Sequence, residues 1–277
     1  WAVSHVHADH IGGVLKYIDG INGGIMPVKC EQWLFNPYQN VGLSKQGTSI
    51  DGTVAESVAQ GNELTSFLYQ KGFVDTSASN GDRIYLDGLS IVVVAPLDGC
   101  EAINEVVQEP SAAMSSIAND YSTEISDFDL DSFEEDSSPF NATSIAMIID
   151  CDGCRFFWTA DARPTELVNG LKKLGFSVDN PLCCDYMSLP HHGSKGNLNI
   201  ELMSIVRCQN FFVTANGCNK HNLPNKETLV RIICHPLRDY KQQMKFYFSL
   251  SSQQLIGMFD VDGEDVFEKF NFRICTK

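Results

Sequence analysis

Apolar residues recur at helical spacing at Ile11, Val14, Leu15 and Ile18, which predicts a helix over residues 11–21. A second helix is read over 54–71. Residues 83–95 read as a strand pair turning at Asp87-Gly88. The runs 144–149 and 155–160 predict another hairpin, closed by Asp152-Gly153. Pro164 suits the first turn of a helix over 164–174. Beyond it follow a strand over 185–189, a helix over 198–206, a strand over 211–215 and a helix over 225–233. Strands over 245–250 and 255–260 close the chain. Elements interleaved in this order suit a layered α/β sandwich, and no internal repeat is evident.

The chain has 277 residues, 43% of them hydrophobic, as expected of a globular enzyme-sized domain. No stretch approaches the roughly 18 uninterrupted apolar residues of a membrane span, and there is no signal-like start. The expectation is a cytoplasmic chain without a membrane segment. Of the ten cysteines, Cys30, Cys100, Cys208, Cys218, Cys234 and Cys275 are scattered singly, which suggests reduced, buried thiols. Cys151-Asp-Gly-Cys154 has metal-knuckle or redox spacing, but no second such pair completes a tetrahedral site and Cys183-Cys184 is a poor substitute. A plain hairpin is the preferred reading.

Residues 101–140 differ from their surroundings. They hold eleven of the 35 acidic residues and no Lys or Arg, so without them the net charge moves from −15 to −4 (20 basic against 24 acidic). The stretch is read as an insertion, mobile or partly helical. A solvated loop is its preferred role; a lid, a mimic of nucleic-acid charge, or contact with a protein partner are the alternatives.

Candidate chemistry begins at Ser4-His5-Val6-His7-Ala8-Asp9-His10-Ile11-Gly12-Gly13. If residues 3–7 end a strand, His5 and His7 project to one face and can grip one ion. Asp9 and His10 follow where the chain bends into the helix and can take a second ion. Gly12 and Gly13 permit tight turning. Neutral imidazole and carboxylate suit Zn, Mn or Fe(II).

His5-x-His7-x-Asp9-His10 resembles the signature of the metallo-β-lactamase-fold hydrolases. Asn141-Ala-Thr-Ser144, the apolar run 145–149, and Phe156-Phe157-Trp158-Thr159-Ala160-Asp161 resemble that family's strand pair ending in Thr-Gly-Asp, with Ala160 in place of Gly. Leu189-Pro190-His191-His192-Gly193-Ser194 resembles the His-His-Gly-Ser motif of one branch. That branch includes the hydrolase domain of bacterial DNA-uptake (competence) membrane proteins. Asn216-Gly217 and His221-Asn222-Leu223-Pro224 resemble its Asn-Gly and His-Pro segment, with two residues between His and Pro. The similarity spans residues 1 to about 233.

The resemblance implies a four-layer αββα sandwich in a single domain over 1–277, lacking its N-terminal strands because family members carry several before the first motif. It implies two divalent ions, Zn or Mn. By family position His5 and His7 belong to one ion, Asp9 and His10 to the other, with Asp161 bridging and His191 or His192 completing the second set. No histidine lies between His10 and His191, so the first ion's third histidine is absent; Asn141 and Ser144 stand there in chain order, as site residues or as turn residues. This argues against β-lactamase activity. Asp9 and His221 are the catalytic candidates; His221 would donate to a phosphate or a leaving group, or is a plain surface loop residue. Ser194 is a candidate phosphate contact, and Lys195, Lys220 and Arg163 adjoin the motifs either as phosphate contacts or as charges that serve solubility. His235 is read as structural.

A phosphodiesterase or nuclease acting by hydroxide attack on phosphorus is the leading expectation. The acidic balance is awkward for a nucleic-acid partner. A hydrolase of small esters, thioesters or cyclic nucleotides is one alternative. A weakly catalytic metal-bearing sensor or scaffold module of a multi-component bacterial system is the other.

Overall fold

A computed structural model describes residues 1–26, 30–36, 52–97, 119–219, 221–249 and 252–276. Residues 101–118 of the acidic stretch, Cys100 and Lys220 lie outside them.

Strands β1 (Arg83–Leu86), β2 (Leu89–Ala95), β3 (Ala146–Cys151) and β4 (Cys154–Trp158) pair antiparallel in sequence order. From β4 the sheet continues in parallel through β6 (Tyr186–Ser188), β8 (Asn210–Val213), β9 (Met244–Phe248) and β10 (Phe272–Cys275). These eight strands form one sheet, and β5 (Leu182–Cys183) and β7 (Val206–Arg207) form a separate parallel pair. The molecule is therefore a mixed α/β protein. Cys151 pairs with Cys154 across β3 and β4, and Asp152 and Gly153 turn the hairpin at φ 50° and 79°, as a two-residue loop demands.

Alternation along the strands separates the two faces of the sheet. Ala146, Ile148 and Phe157 face a core shared with α4 (Pro164–Lys173), α5 (Ile200–Ile205) and α6 (Lys226–Ile233). Met147, Ile149 and Trp158 face the other way, toward Leu34, Ala78 and Val93. The contact of α4 with β2 is so close that a Cβ on Gly170 would lie 2.0 Å from the Val94 carbonyl oxygen. A third cluster joins α1 (Ala8–Asn22) and α2 (Gly52–Gln70) through Ile11, Leu15, Leu64 and Leu68 to Val3, Val6 and Phe140 of the short α3 (Pro139–Ala142).

Three expectations are corrected. Residues 3–7 form no strand: Ala2 makes only an isolated bridge to Leu34, and His7 caps α1, its carbonyl accepting from the His10 and Ile11 amides. The helix thus begins before residue 11 and takes in Asp9, whose charge suits a helix N-terminus. No strand covers 255–260 either. Ser252 Oγ accepts from the Leu255 amide and starts α7 (Gln253–Ile256), so capping overrides the apolar content of this stretch. Nor is the described end of the acidic stretch a loose loop. Asp120 accepts the Lys226 and Glu227 amides at the start of α6, and Glu135 accepts the Thr165 amide and hydroxyl at the start of α4.

This topology gathers chemistry at one end. Parallel strands β4, β6 and β8 run side by side, and residues just past their C-terminal ends share a common edge, the usual ligand-binding edge of such sheets. The N-terminal segment reaches the same edge, where Ser4 accepts from the Ile145 amide through its carbonyl.

Candidate metal centre

Asp161 lies at the middle of the cluster and is 2% exposed. Ala160 before it adopts φ 46°, turning the chain out of β4, and its carbonyl accepts from the His191 amide at 2.9 Å. On one side, Asp161 Oδ2 faces His5 Nε2 at 3.7 Å and His191 Nε2 at 3.8 Å. On the other, Oδ1 faces His10 Nε2 at 3.2 Å and His192 Nε2 at 3.9 Å. His5 Nε2 is 2.9 Å from His7 Nδ1, and His192 Nε2 is 3.0 Å from Asp9 Oδ2.

Among the described residues, two groups have ligand atoms mutually close enough for a metal ion: His5, His7 and Asp161, and Asp9, His10 and His192. All seven residues singled out in the sequence as ligands are therefore brought together, from α1, the segment before it, and the turns after β4 and β6. His191 and His192 share a short turn (Pro190–Gly193) in which both adopt positive φ, 47° and 57°. Gly193 follows at φ 88°, where a Cβ would lie 2.6 Å from Pro224 Cβ. Such backbone persists only when its surroundings hold it.

The far side of each ring is held as well. Ser4 Oγ lies 3.1 Å from His5 Nδ1 and 2.9 Å from His10 Nδ1, and Ser144 Oγ lies 3.2 Å from His5 Nδ1. His192 Nδ1 is 2.7 Å from Thr214 Oγ1, and His191 Nδ1 is 3.0 Å from Asn197 Oδ1. Each of these rings keeps Nε2 turned to the cluster, which is how hydrogen-bonded partners orient metal-binding imidazoles.

The charges fit a cation. His10 Nε2 is buried without a hydrogen bond although it is 3.2 Å from a carboxylate oxygen. Burial lowers the His5 pKa well below its ordinary value, against the pull of Asp161. Burial also lowers that of His10, but the Asp161 carboxylate more than offsets it, and the net shift is upward. Burial acts on His191 in the same sense, yet Asp136 and Asp161 push its pKa up to about 9. Burial would raise the Asp161 pKa, but His10, His191 and His5 hold it far below the carboxylate range. The hydrogen bond with His192 does the same for Asp9. Ionised carboxylates among inward-facing imidazoles are a donor set for borderline divalent ions, so the residues present fit the group.

The remaining candidates separate. Asn141 and Ser144 are buried beside the cluster, Asn141 Nδ2 donating to Asp136 Oδ2 at 2.6 Å and lying 3.4 Å from His191 Nδ1. Ser194 and Lys195 continue the histidine turn; Ser194 Oγ accepts from the Gly196 amide, and Lys195 Nζ lies 3.5 Å from Glu227 Oε2. Arg163 is committed to Glu166 at 3.0 Å. His221 is exposed on the loop after β8, its amide donating to Asn219 Oδ1. His235 is buried with Nε2 at 3.1 Å from the Ile200 carbonyl oxygen, a structural role. The described cysteines are all free thiols, but Cys218 is exposed where burial was expected. Asp136, Asn197, Ser4 and Thr214 belong to the cluster and had no signal beyond being polar.

The chain matches no protein-family model and no curated protein. No helix among the described residues is long and apolar enough to cross a membrane.

Proposed function

We propose that this protein is a hydrolase that uses two divalent metal ions, Zn or Mn, and acts on phosphate diesters. The observation that carries the reading is Asp161, buried with one carboxylate oxygen toward each of two imidazole groups. His5, His7 and Asp161 would hold one ion; Asp9, His10 and His192 the other, with Asp161 shared and His191 on the His5 side. Two such ions supply Lewis acidity toward a phosphoryl oxygen and make water acidic enough to be a nucleophile near neutral pH. The chain's own residues orient them: Ser4, Ser144 and Thr214 fix ring directions, and the Ala160 turn aims Asp161. Asp9, whose side chain is 61% exposed, marks the solvent side from which a substrate arrives.

The sequence resemblance to the metallo-β-lactamase-fold hydrolases supports this reading, and with it a four-layer αββα arrangement. In that arrangement a second sheet would cover the face that presents Phe156, Trp158, Tyr186 and Phe212, where Phe212 is 39% exposed.

A second substrate reading is favoured by the cations. Lys195 and Arg163 already face Glu227 and Glu166, so part of their charge is offset before a phosphate backbone could meet them. A small ester or cyclic nucleotide needs fewer such contacts than a polynucleotide. The deciding experiment loads the chain with Zn or Mn and offers single- and double-stranded DNA, RNA, a chromogenic phosphodiester, a cyclic nucleotide and a thioester. Cleavage of DNA or RNA that Asp161→Asn abolishes supports the nuclease; turnover of small substrates alone selects the second reading. Inertness toward every substrate, with metal bound, leaves the sensor or scaffold module.

A further inference from the structure

Asp136 lies in the acidic stretch, outside every motif, yet it is engaged on all sides. Its Oδ2 accepts from Asn141 Nδ2 at 2.6 Å and Asn197 Nδ2 at 2.9 Å, and lies 3.5 Å from His191 Nδ1. Its Oδ1 accepts from the Ser138 amide at 2.8 Å, and its own amide donates to the Gly196 carbonyl at 3.0 Å. Glu135, next to it, is bonded to Thr165 at the head of α4, so the segment is pinned where it meets the histidine turn.

Those bonds decide what His191 can do. Asn197 Oδ1 is 3.0 Å from His191 Nδ1, and Asp136 Oδ2 stands behind it. Asn197 Nδ2 is occupied by Asp136 and by the Asp161 carbonyl oxygen at 3.2 Å, so its amide orientation is fixed with the oxygen toward the ring. Asn141 Nδ2, 3.4 Å from the same nitrogen, is committed to Asp136 Oδ2 at 2.6 Å, so the acceptors keep a proton on Nδ1 and Nε2 is the nitrogen left for a metal ion to take. Nε2 points to Asp161 Oδ2, the oxygen that His5 also faces. His192, one residue on, meets a Thr214 hydroxyl at Nδ1 and serves the other oxygen.

We infer that Asp136, with Asn197, is a positioning residue that holds His191 as the third imidazole of the His5 and His7 side. It thereby replaces the histidine missing between His10 and His191. A carboxylate behind a ligating imidazole fixes its tautomer and raises its basicity. The inference rests on the two-ion reading above.

The test titrates the metal-free full chain with Co(II), followed by calorimetry and visible absorption, for wild type, Asp136→Ala, Asp136→Asn and Asp136→Glu. Wild type takes up two ions. Asp136→Ala weakens one binding event about 10–100-fold and alters that ion's absorption band, leaving the other event unchanged. Asp136→Asn, which keeps the side chain's size, shows a smaller loss, and Asp136→Glu recovers part of it. A purely structural role would instead lower the unfolding temperature of the metal-free variants while both affinities stayed at the wild-type value. Two unaltered affinities, or equal weakening of both, overturn the assignment while the two-ion reading stands. A wild type that takes up no metal overturns the two-ion reading, and this inference with it. Should Asp136→Ala not fold, Asp136→Asn alone decides through the same affinity ratio.

Discussion

The two flanks of Asp161 are built from the same residue types but are not equivalent. On the Oδ2 flank His5 is 2% exposed, backed by Ser4 and Ser144, and His191 is backed by Asn197 and Asp136. On the Oδ1 flank Asp9 is open to solvent, His10 shares the Ser4 hydroxyl with His5, and His192 is backed by a single threonine hydroxyl. The Oδ2 flank is suited to retaining an ion, because His5 is buried and both His5 and His191 are held from behind. The open flank is suited to exchanging ligands with substrate. Under the two-ion reading, a cluster symmetric in residue types would divide its labour through the burial of His5 and the exposure of Asp9.

The largest effect comes from erasing the difference. Asp161→Asn removes the charge common to both flanks. Lewis-acid stabilisation is worth several kcal/mol, so turnover of any phosphodiester substrate falls about 10³-fold or more. Equilibrium dialysis of the same variant finds neither ion retained at wild-type affinity. Retention of one ion at full strength would show that Asp161 belongs to one flank only.

The next experiment separates the flanks. His191→Ala and His192→Ala alter adjacent residues of one turn, yet each is expected to weaken a different ion, with metal content falling from two per chain toward one. His192→Ala leaves the buried ion and loses turnover; His191→Ala makes the buried ion exchangeable. If both variants lose the same ion, the two histidines serve one flank and the comparison fails.

Removing metal exposes a third contrast, in pH. In the metal-free protein the His191 pKa is raised to about 9, mainly by Asp136 and Asp161 against the cost of burial. A raised folded-state value means its stabilisation is complete below the unfolded value near 6.5 and is lost as pH climbs through 9. At 1.36 kcal/mol per unit this amounts to about 3 kcal/mol. His5, whose pKa is lowered by burial, acts in the opposite sense and removes stability as pH falls below its unfolded value. Thermal unfolding in chelator should therefore decline from pH 6.5 to 9, and the decline should shrink in His191→Gln, leaving the part that His10, whose pKa is also raised, contributes. With metal present the trend reverses, because protons no longer compete for the ring. A chelated protein whose unfolding temperature is flat across that window rules out a charged His191.

Much of this was legible in the sequence because ligand-type residues sat within a few positions of one another. His5, His7, Asp9 and His10 form one such group, and the other histidine pair announces itself beside Pro190 and Gly193. The backing residues were not legible. Asp136 was one of eleven acidic residues in its stretch, and only its bonds to Asn141 and Asn197 set it apart. Ser4 bonds two rings at once, His5 next to it and His10 a turn later, a relation that appears only when α1 starts at Ala8. The same early helix start cancelled the strand expected over 3–7, and the Ser252 cap cancelled that over 255–260. In both places a local hydrogen bond outweighed the hydrophobic pattern.

The smallest effect tests how the flanks are aimed. Ala160 adopts φ 46° just before Asp161, and its carbonyl also holds the His191 amide, so one strained residue orients both. A left-handed residue other than Gly costs roughly 1–2 kcal/mol, which Ala160→Gly would relieve. Against that, Gly loses about 0.5–1 kcal/mol through the freedom of the unfolded chain, and a buried methyl is worth about 0.8 kcal/mol. Ala160 is 6% exposed, so the methyl counts nearly in full. The three contributions nearly cancel, and stability should change by less than about 1 kcal/mol in denaturant unfolding. Metal affinity should not change on either flank, because Gly reaches the same backbone conformation. A weaker buried flank alone would mean that the methyl, not the backbone turn, keeps Asp161 in line with His5 and His191.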